Sequence, residues 1–263
     1  MKTINGAKRA EWWLGQLLSD NDINEVEITD VYNNVLKAWS IHDPIKTKTL
    51  LDEMKSFTSP RGRSISCTPN TESYSVFIGT CVRFSRENKY WSRDDACNYA
   101  GKALQELQSR EANEELGCYT STELFNMVLK TSSLINPGTS EAFKLAIDTY
   151  KSLKSSRHYA DHISYKYMLQ IILQSDVHGT KTKSDLIKRF LSMCRDDGLL
   201  SKDVIQQVTR RPFNYPKWSI LEARKCVDSL FHENSLQSSW SCNLGNHIDR
   251  PTLSDFLLKI KNS

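Results

Sequence analysis

No run of apolar residues in this chain of 263 residues approaches the ~20 that a membrane span requires. A partner role for the bilayer is therefore not expected. The seven cysteines, an odd count, include no CxxC pair anywhere, which argues against a zinc site or a secreted disulfide framework and for reduced thiols in a core. His158 and His162 lie four apart but have no acidic or cysteine partner at ligand spacing, so neither a metal nor any other cofactor is expected. The sequence also lacks a Gly-rich phosphate loop, a GxSxG elbow, an HExxH helix and an HxE followed by CxxC. No enzyme signature is left on which to hang a catalytic role. The first residues lack the apolar core of a secretory signal, and Glu11, Asp20 and Asp22 do not suit an acid-poor transit peptide. Sustained strand alternation is absent too, and the chain is read as all-α.

What is present is a composition of 39% apolar and 25% charged residues with a net charge of +4, enough to bury a large core. That mild positive balance permits nucleic-acid binding without demanding it. The stretch from Ser140 to Gln170 shows the organising pattern. Ala142, Ala146, Tyr150 and Leu153 fall on one helix face, with Ser140 as the expected N-cap; after a polar link, Tyr165, Met168, Leu169 and Ile172 form a second such face. Two amphipathic helices on a short link must pack on each other and on neighbours.

The same hand-over recurs along the chain. Ala10-Leu14-Leu17, Thr47-Leu51-Met54, Ala100-Leu104-Leu107, Ala146-Tyr150-Leu153 and Ile187-Leu191-Cys194 share one spacing. The first four are each followed by a segment led by an aromatic residue: Tyr32, Tyr74, Phe125 and Tyr165. Subtracting each of these positions from the next gives steps of 42, 51 and 40 residues, a degenerate internal repeat. The spacing predicts helices near 7–18, 30–41, 44–54, 71–84, 93–108, 122–134, 140–153, 161–174 and 183–194, then an unpaired one to about Val208. In the first of these, Ala10, Trp13, Leu14, Leu17 and Leu18 are expected on the apolar side, with Trp12 beside them. Asp43-Pro44 supplies a cap and a first-turn proline. Residues 57–69, with Arg61-Gly62-Arg63, read as a solvated insertion, and Trp91 in a long loop is the tryptophan expected to be exposed. The aromatic leaders are expected in the core. The chain thus divides into a repeat domain, 1–208, and a C-terminal helical extension, 209–263, with helices expected near 220–231 and 252–260 and with Phe213, Tyr215 and Trp218 expected to cap the last repeat.

Pro69-Asn70-Thr71-Glu72-Ser73-Tyr74-Ser75, with support from Asp161 to Tyr165, Tyr32-Asn33 and Phe125-Asn126, resembles the pentatricopeptide repeat family in the irregular, long-insert style of divergent algal members such as those of diatoms. The resemblance covers about Ala7 to Val208. The gaps from second-helix residue to next aromatic, 15, 20, 18 and 12 (17 to 32, 54 to 74, 107 to 125, 153 to 165), depart from the family's spacing in all but the last. The resemblance implies a right-handed α-α superhelix, a solenoid of about four helical hairpins, that binds single-stranded RNA and acts in organellar RNA processing, stability or translation, in mitochondrion or chloroplast. In such stacks one base per repeat is read by two or three side chains. Carried over by position, the implied readers are Asn33 with Asn70, Ser75 with Ser121, Asn126 with Asp161, and Lys166 with no assigned partner. Asn70, Ser121 and Asp161 also stand where helix caps belong. Lys37, Arg83, Lys130 and Lys166 are the basic residues expected to reach phosphates. The competing expectation is a protein-interaction scaffold similar to tetratricopeptide proteins, with protein partners in the same groove.

Overall fold

The structure is a computed structural model that describes residues 3–20, 25–59, 64–87, 89–135, 139–175, 180–201 and 203–205. It is mostly helical: α1 Ile4–Ser19, α2 Thr29–Trp39, α3 Pro44–Lys55, α4 Thr71–Phe84, α5 Arg93–Ala112, α6 Thr122–Ser133, α7 Ser140–Ser155, α8 His162–Gln174 and α9 Thr180–Asp196. The helices begin where short polar side chains take up the free N–H groups of the first turn. Asp43 accepts from the backbone N–H groups of Ile45 and Lys46 at 2.9 and 3.0 Å, ahead of Pro44. Ser92 and Ser121 cap α5 and α6. Asn70 and Asp161 each form a reciprocal capping box, with Ser73 and Ser164. For α7 the cap is Thr139, whose hydroxyl accepts from Ala142 N–H at 3.2 Å. It stands one residue before the expected Ser140, which is helical and exposed.

The chain divides into two compact units, Met1–Val177 and His178–Ser263. In the first, each helix from α1 to α7 packs on the next one, and α2, α4, α6 and α8 also pack each on the next of their own set, as do α5 and α7. The first helices of successive hairpins therefore form one row. Tyr32, Tyr74, Phe125 and Tyr165 are buried, as expected, and the Tyr74 ring lies under Lys55 of α3 and Arg110 of α5. Ala142, Ala146, Tyr150 and Leu153 are buried, and the Tyr150 ring meets Tyr165 edge-on at 5.9 Å. Close approach of α5 to α7 needs Gly101: a Cβ there would lie 2.6 Å from Leu145 Cδ1. In the second unit α9 buries Ile187, Leu191 and Cys194, the residues its spacing singles out. The 208/209 boundary, the tail with Phe213, Tyr215 and Trp218, and Arg61 to Arg63 lie outside the described residues.

Three expectations need correction. Within the 57–69 segment, Ser64–Ser66 forms a strand, β2, that pairs in parallel with β1, Glu25–Glu27. Strands of three residues are too short to show alternation in a sequence. Trp91 is buried at 8% exposure, its ring edge-on to Phe77 at 6.1 Å and Tyr99 at 5.1 Å. The exposed tryptophans are Trp12 and Trp13, at 55% and 56%, because α1 buries its Ala7 and Leu14 side and turns Trp13 away from it. Among the described cysteines, Cys67, Cys81, Cys97 and Cys194 are buried free thiols and Cys118 is a half-buried one. No described helix is long and apolar enough to cross a membrane.

Candidate nucleic-acid interface

Six of the seven implied base readers fall into three junctions between consecutive first helices, Lys166 on α8 standing beyond them, and the junctions differ. At the first, Asn33 on α2 donates through Nδ2 to Asn70 Oδ1 at 3.2 Å and to Glu72 Oε2 at 3.1 Å, while its Oδ1 accepts from the Ser73 hydroxyl at 2.6 Å. The third repeats that arrangement with other residues. Asn126 on α6 donates to Asp161 Oδ1 at 3.0 Å and accepts from the Ser164 hydroxyl at 2.6 Å. Each serine hydroxyl has one proton, and the short contact to the asparagine takes it, which leaves the serine oxygen to accept from the cap residue's own N–H. Asn33 and Asn126 are 1% and 6% exposed. In this arrangement both amides are committed to holding one first helix against the N-terminus of the next.

The middle junction has neither amide nor box. Ser121 caps α6 by accepting from Leu124 N–H at 3.4 Å, but Leu124 stands where the other junctions have serine. Ser75, half-buried, makes no side-chain hydrogen bond to another described residue. Lys166, at the equivalent place on α8, is also half-buried. All three junctions keep a second device, which spacing alone had not revealed. Thr29, Thr71 and Thr122, each at a first helical position, donate to the carbonyls of Thr68, Tyr119 and Tyr159 at 3.1, 2.8 and 3.1 Å. In the first two the same hydroxyl also accepts the N–H of that residue.

The charges on the row are sorted by end. Asp30, Glu72 and Glu123 sit in first turns, and Lys37, Arg83 and Lys130 in last turns, as the helix dipole favours. Lys37 pairs with Glu72 across α2 and α4. Arg83, Arg86, Lys130 and Lys166 form no ion pair with another described residue, and the two arginines are exposed. Gly79 on α4 faces Met127 on α6, whose Cε would be 3.8 Å from a Cβ there. Tyr167 on α8 has its hydroxyl pushed up by burial while the positive charge of Arg86, beyond the end of α4, opposes that rise. At Asp161, burial pushes the carboxyl up, and the bonds from Ser164 and Asn126 outweigh it, so the group titrates below its ordinary value.

Nothing in these junctions resembles an activated nucleophile. Burial pushes the thiols of Cys67 and Cys194 up to about 12 and that of Cys97 to about 11, so they are not thiolates at neutral pH. His158 meets the Thr120 hydroxyl at 3.2 Å, and among the described residues no group of three His, Cys, Asp or Glu is placed to hold a metal. No family model matches the chain, and no curated protein and no solved structure matches it either.

Proposed function

We propose that the chain is a non-catalytic helical-repeat protein, a right-handed α-α superhelix of about four hairpins with a C-terminal extension, that binds single-stranded RNA along its first-helix row. The recurrence of the threonine contact at three junctions, and of the asparagine arrangement at two, supports the repeat. One observation carries the ligand: Arg83, Arg86, Lys130 and Lys166 lie along that row with no described acidic partner, and a phosphate backbone supplies the missing countercharge. Ser75 and Lys166 are the implied readers with side chains not already spent on another junction residue. Asn33 and Asn126 would read a base only if their junctions opened, and their first role in this reading is to hold the stack. The organellar setting and the processing, stability or translation role follow from the pentatricopeptide resemblance.

A protein-interaction scaffold similar to tetratricopeptide proteins is the second reading. Leu116, Tyr119 and Tyr159 favour it, because they stand exposed near the N-terminal ends of α6 and α8, where an apolar peptide would find anchors. Crosslinking and sequencing of bound RNA in cells separates the two, with Arg83→Glu/Lys130→Glu as the control. Expected is a defined set of transcripts from wild type and its loss in the variant. Wild type that recovers no RNA above background overturns RNA binding and puts the scaffold first.

A further inference from the structure

On α1 the side opposite Ala7 and Leu14 carries Asn5, Lys8, Arg9, Trp12, Trp13 and Gln16, all exposed. Lys8 and Arg9 stand four and three residues before Trp12, and Arg9 four before Trp13, so both cations share the turn over which the indoles lie. The two indole rings meet edge-on with centroids 4.7 Å apart. Glu11, the acid nearest to them in sequence, is turned to Lys46 on α3. Neither Lys8 nor Arg9 pairs with another described residue. This is a basic, hydrogen-bonding surface holding two large flat rings. It is too polar for a helix-packing face, which is apolar along a whole stripe, and two indoles with one exposed aliphatic residue on α1, Ile4, fall short of an interfacial membrane helix.

We infer that the exposed side of α1 is a stacking platform for single-stranded RNA, with Trp12 and Trp13 taking bases and Lys8 and Arg9 the adjoining phosphates. The platform rests on the RNA-binding reading above and adds a second contact area outside the first-helix row. Charge complementarity selects an anionic partner, and the exposed indoles select one with flat faces, a combination single-stranded nucleic acid offers at every nucleotide. Sequence tolerance follows, because every base has a π face.

The test uses the full chain and a fluorescein-labelled single-stranded RNA of mixed sequence, about 20 nucleotides long so that it exceeds one binding module, titrated at several salt concentrations. Trp12→Ala/Trp13→Ala should weaken binding about tenfold or more, and Trp12→Phe/Trp13→Phe should restore most of it, since phenyl rings still stack. Lys8→Glu/Arg9→Glu should weaken binding and flatten its salt dependence. Unchanged affinity in the double alanine variant overturns the platform. So does binding to vesicles of equal parts phosphatidylcholine and phosphatidylserine that this variant abolishes while its RNA affinity stays at wild-type level. The arm with Arg83→Glu/Lys130→Glu separates the two areas: weakened binding there alone leaves the row and removes the platform, and weakened binding in the tryptophan variant alone does the reverse.

Discussion

The junctions at Asn33 and Asn126 and the one between them at Ser75 join equivalent helices with different chemistry. The outer two use a buried amide that bonds both members of a capping box on the next first helix. In the middle one a serine faces a helix whose third residue, Leu124, has no hydroxyl to offer. Stacking persists across all three because the aromatic leader and the threonine contact persist. The amide is thus an addition to the repeat and not its basis. Where it is present the side chain belongs to the fold, and where it is absent Ser75 makes no side-chain hydrogen bond to another described residue.

The largest effect expected from breaking this contrast is at Asn126→Ala. The Asp161 carboxylate would lose a donor and the buried Ser164 hydroxyl its short bond, with Asp161 Oδ1 at 3.0 Å as its remaining acceptor, at a cost of roughly 1–3 kcal/mol, measurable by urea unfolding. Asn33→Ala should cost somewhat less, because its charged partner Glu72 is exposed and also paired with Lys37, while its cap partner Asn70 is neutral. A cost of less than about 0.5 kcal/mol in both, the range of an ordinary surface change, would mean the amides are bystanders. Thr71→Val comes next, removing two backbone hydrogen bonds to Tyr119 for about 1 kcal/mol; a stability equal to wild type would deny the threonine its part.

Acid separates the two amide junctions further. The folded carboxyl of Asp161 titrates below its unfolded value, so its contribution is complete above the ordinary carboxylate range and is lost as pH falls through the folded pKa. Asp161→Asn, which copies the Asn70 chemistry, should therefore flatten the fall of melting temperature between about pH 5 and pH 3. A curve with the wild-type slope would show that Asp161 is not the group responsible. Ser75→Ala should have the smallest effect, within about 0.5 kcal/mol of wild type. A larger destabilisation would reveal a structural role for Ser75 and erase the contrast.

Much of the fold was legible in the sequence where the physics is local. The range 71–84 matches α4, and Asp43-Pro44 marks the start of α3, because caps and helical periodicity act over three or four residues. Trp91 and Trp13 were misplaced because the side a loop aromatic or an end helix turns inward depends on neighbours distant in sequence. The β1 and β2 pairing was invisible for the same reason, together with its shortness. In the candidate site, the caps Asn70, Ser121 and Asp161 were legible as caps. The partners of Asn33 and Asn126 lie 37 and 35 residues away; the positional rule pairs the same residues but assigns them to a base and not to each other. A local signal did exist: Asn70 and Asp161 are each followed three residues later by serine, whereas Ser121 is followed by Leu124.

The salt dependence of RNA affinity tests the use of the first-helix row most directly. For wild type, the logarithm of the binding constant should fall linearly with the logarithm of salt concentration. In Arg83→Glu/Arg86→Glu/Lys130→Glu that slope should shrink by about 0.7 for each phosphate no longer neutralised, with the melting temperature lowered only slightly, because Arg83 and Lys130 lose their favourable place in the last turns of α4 and α6 and none of the three makes a described ion pair. A wild-type slope in the triple variant, or no measurable affinity for single-stranded RNA in the unaltered chain at low salt, would contradict it.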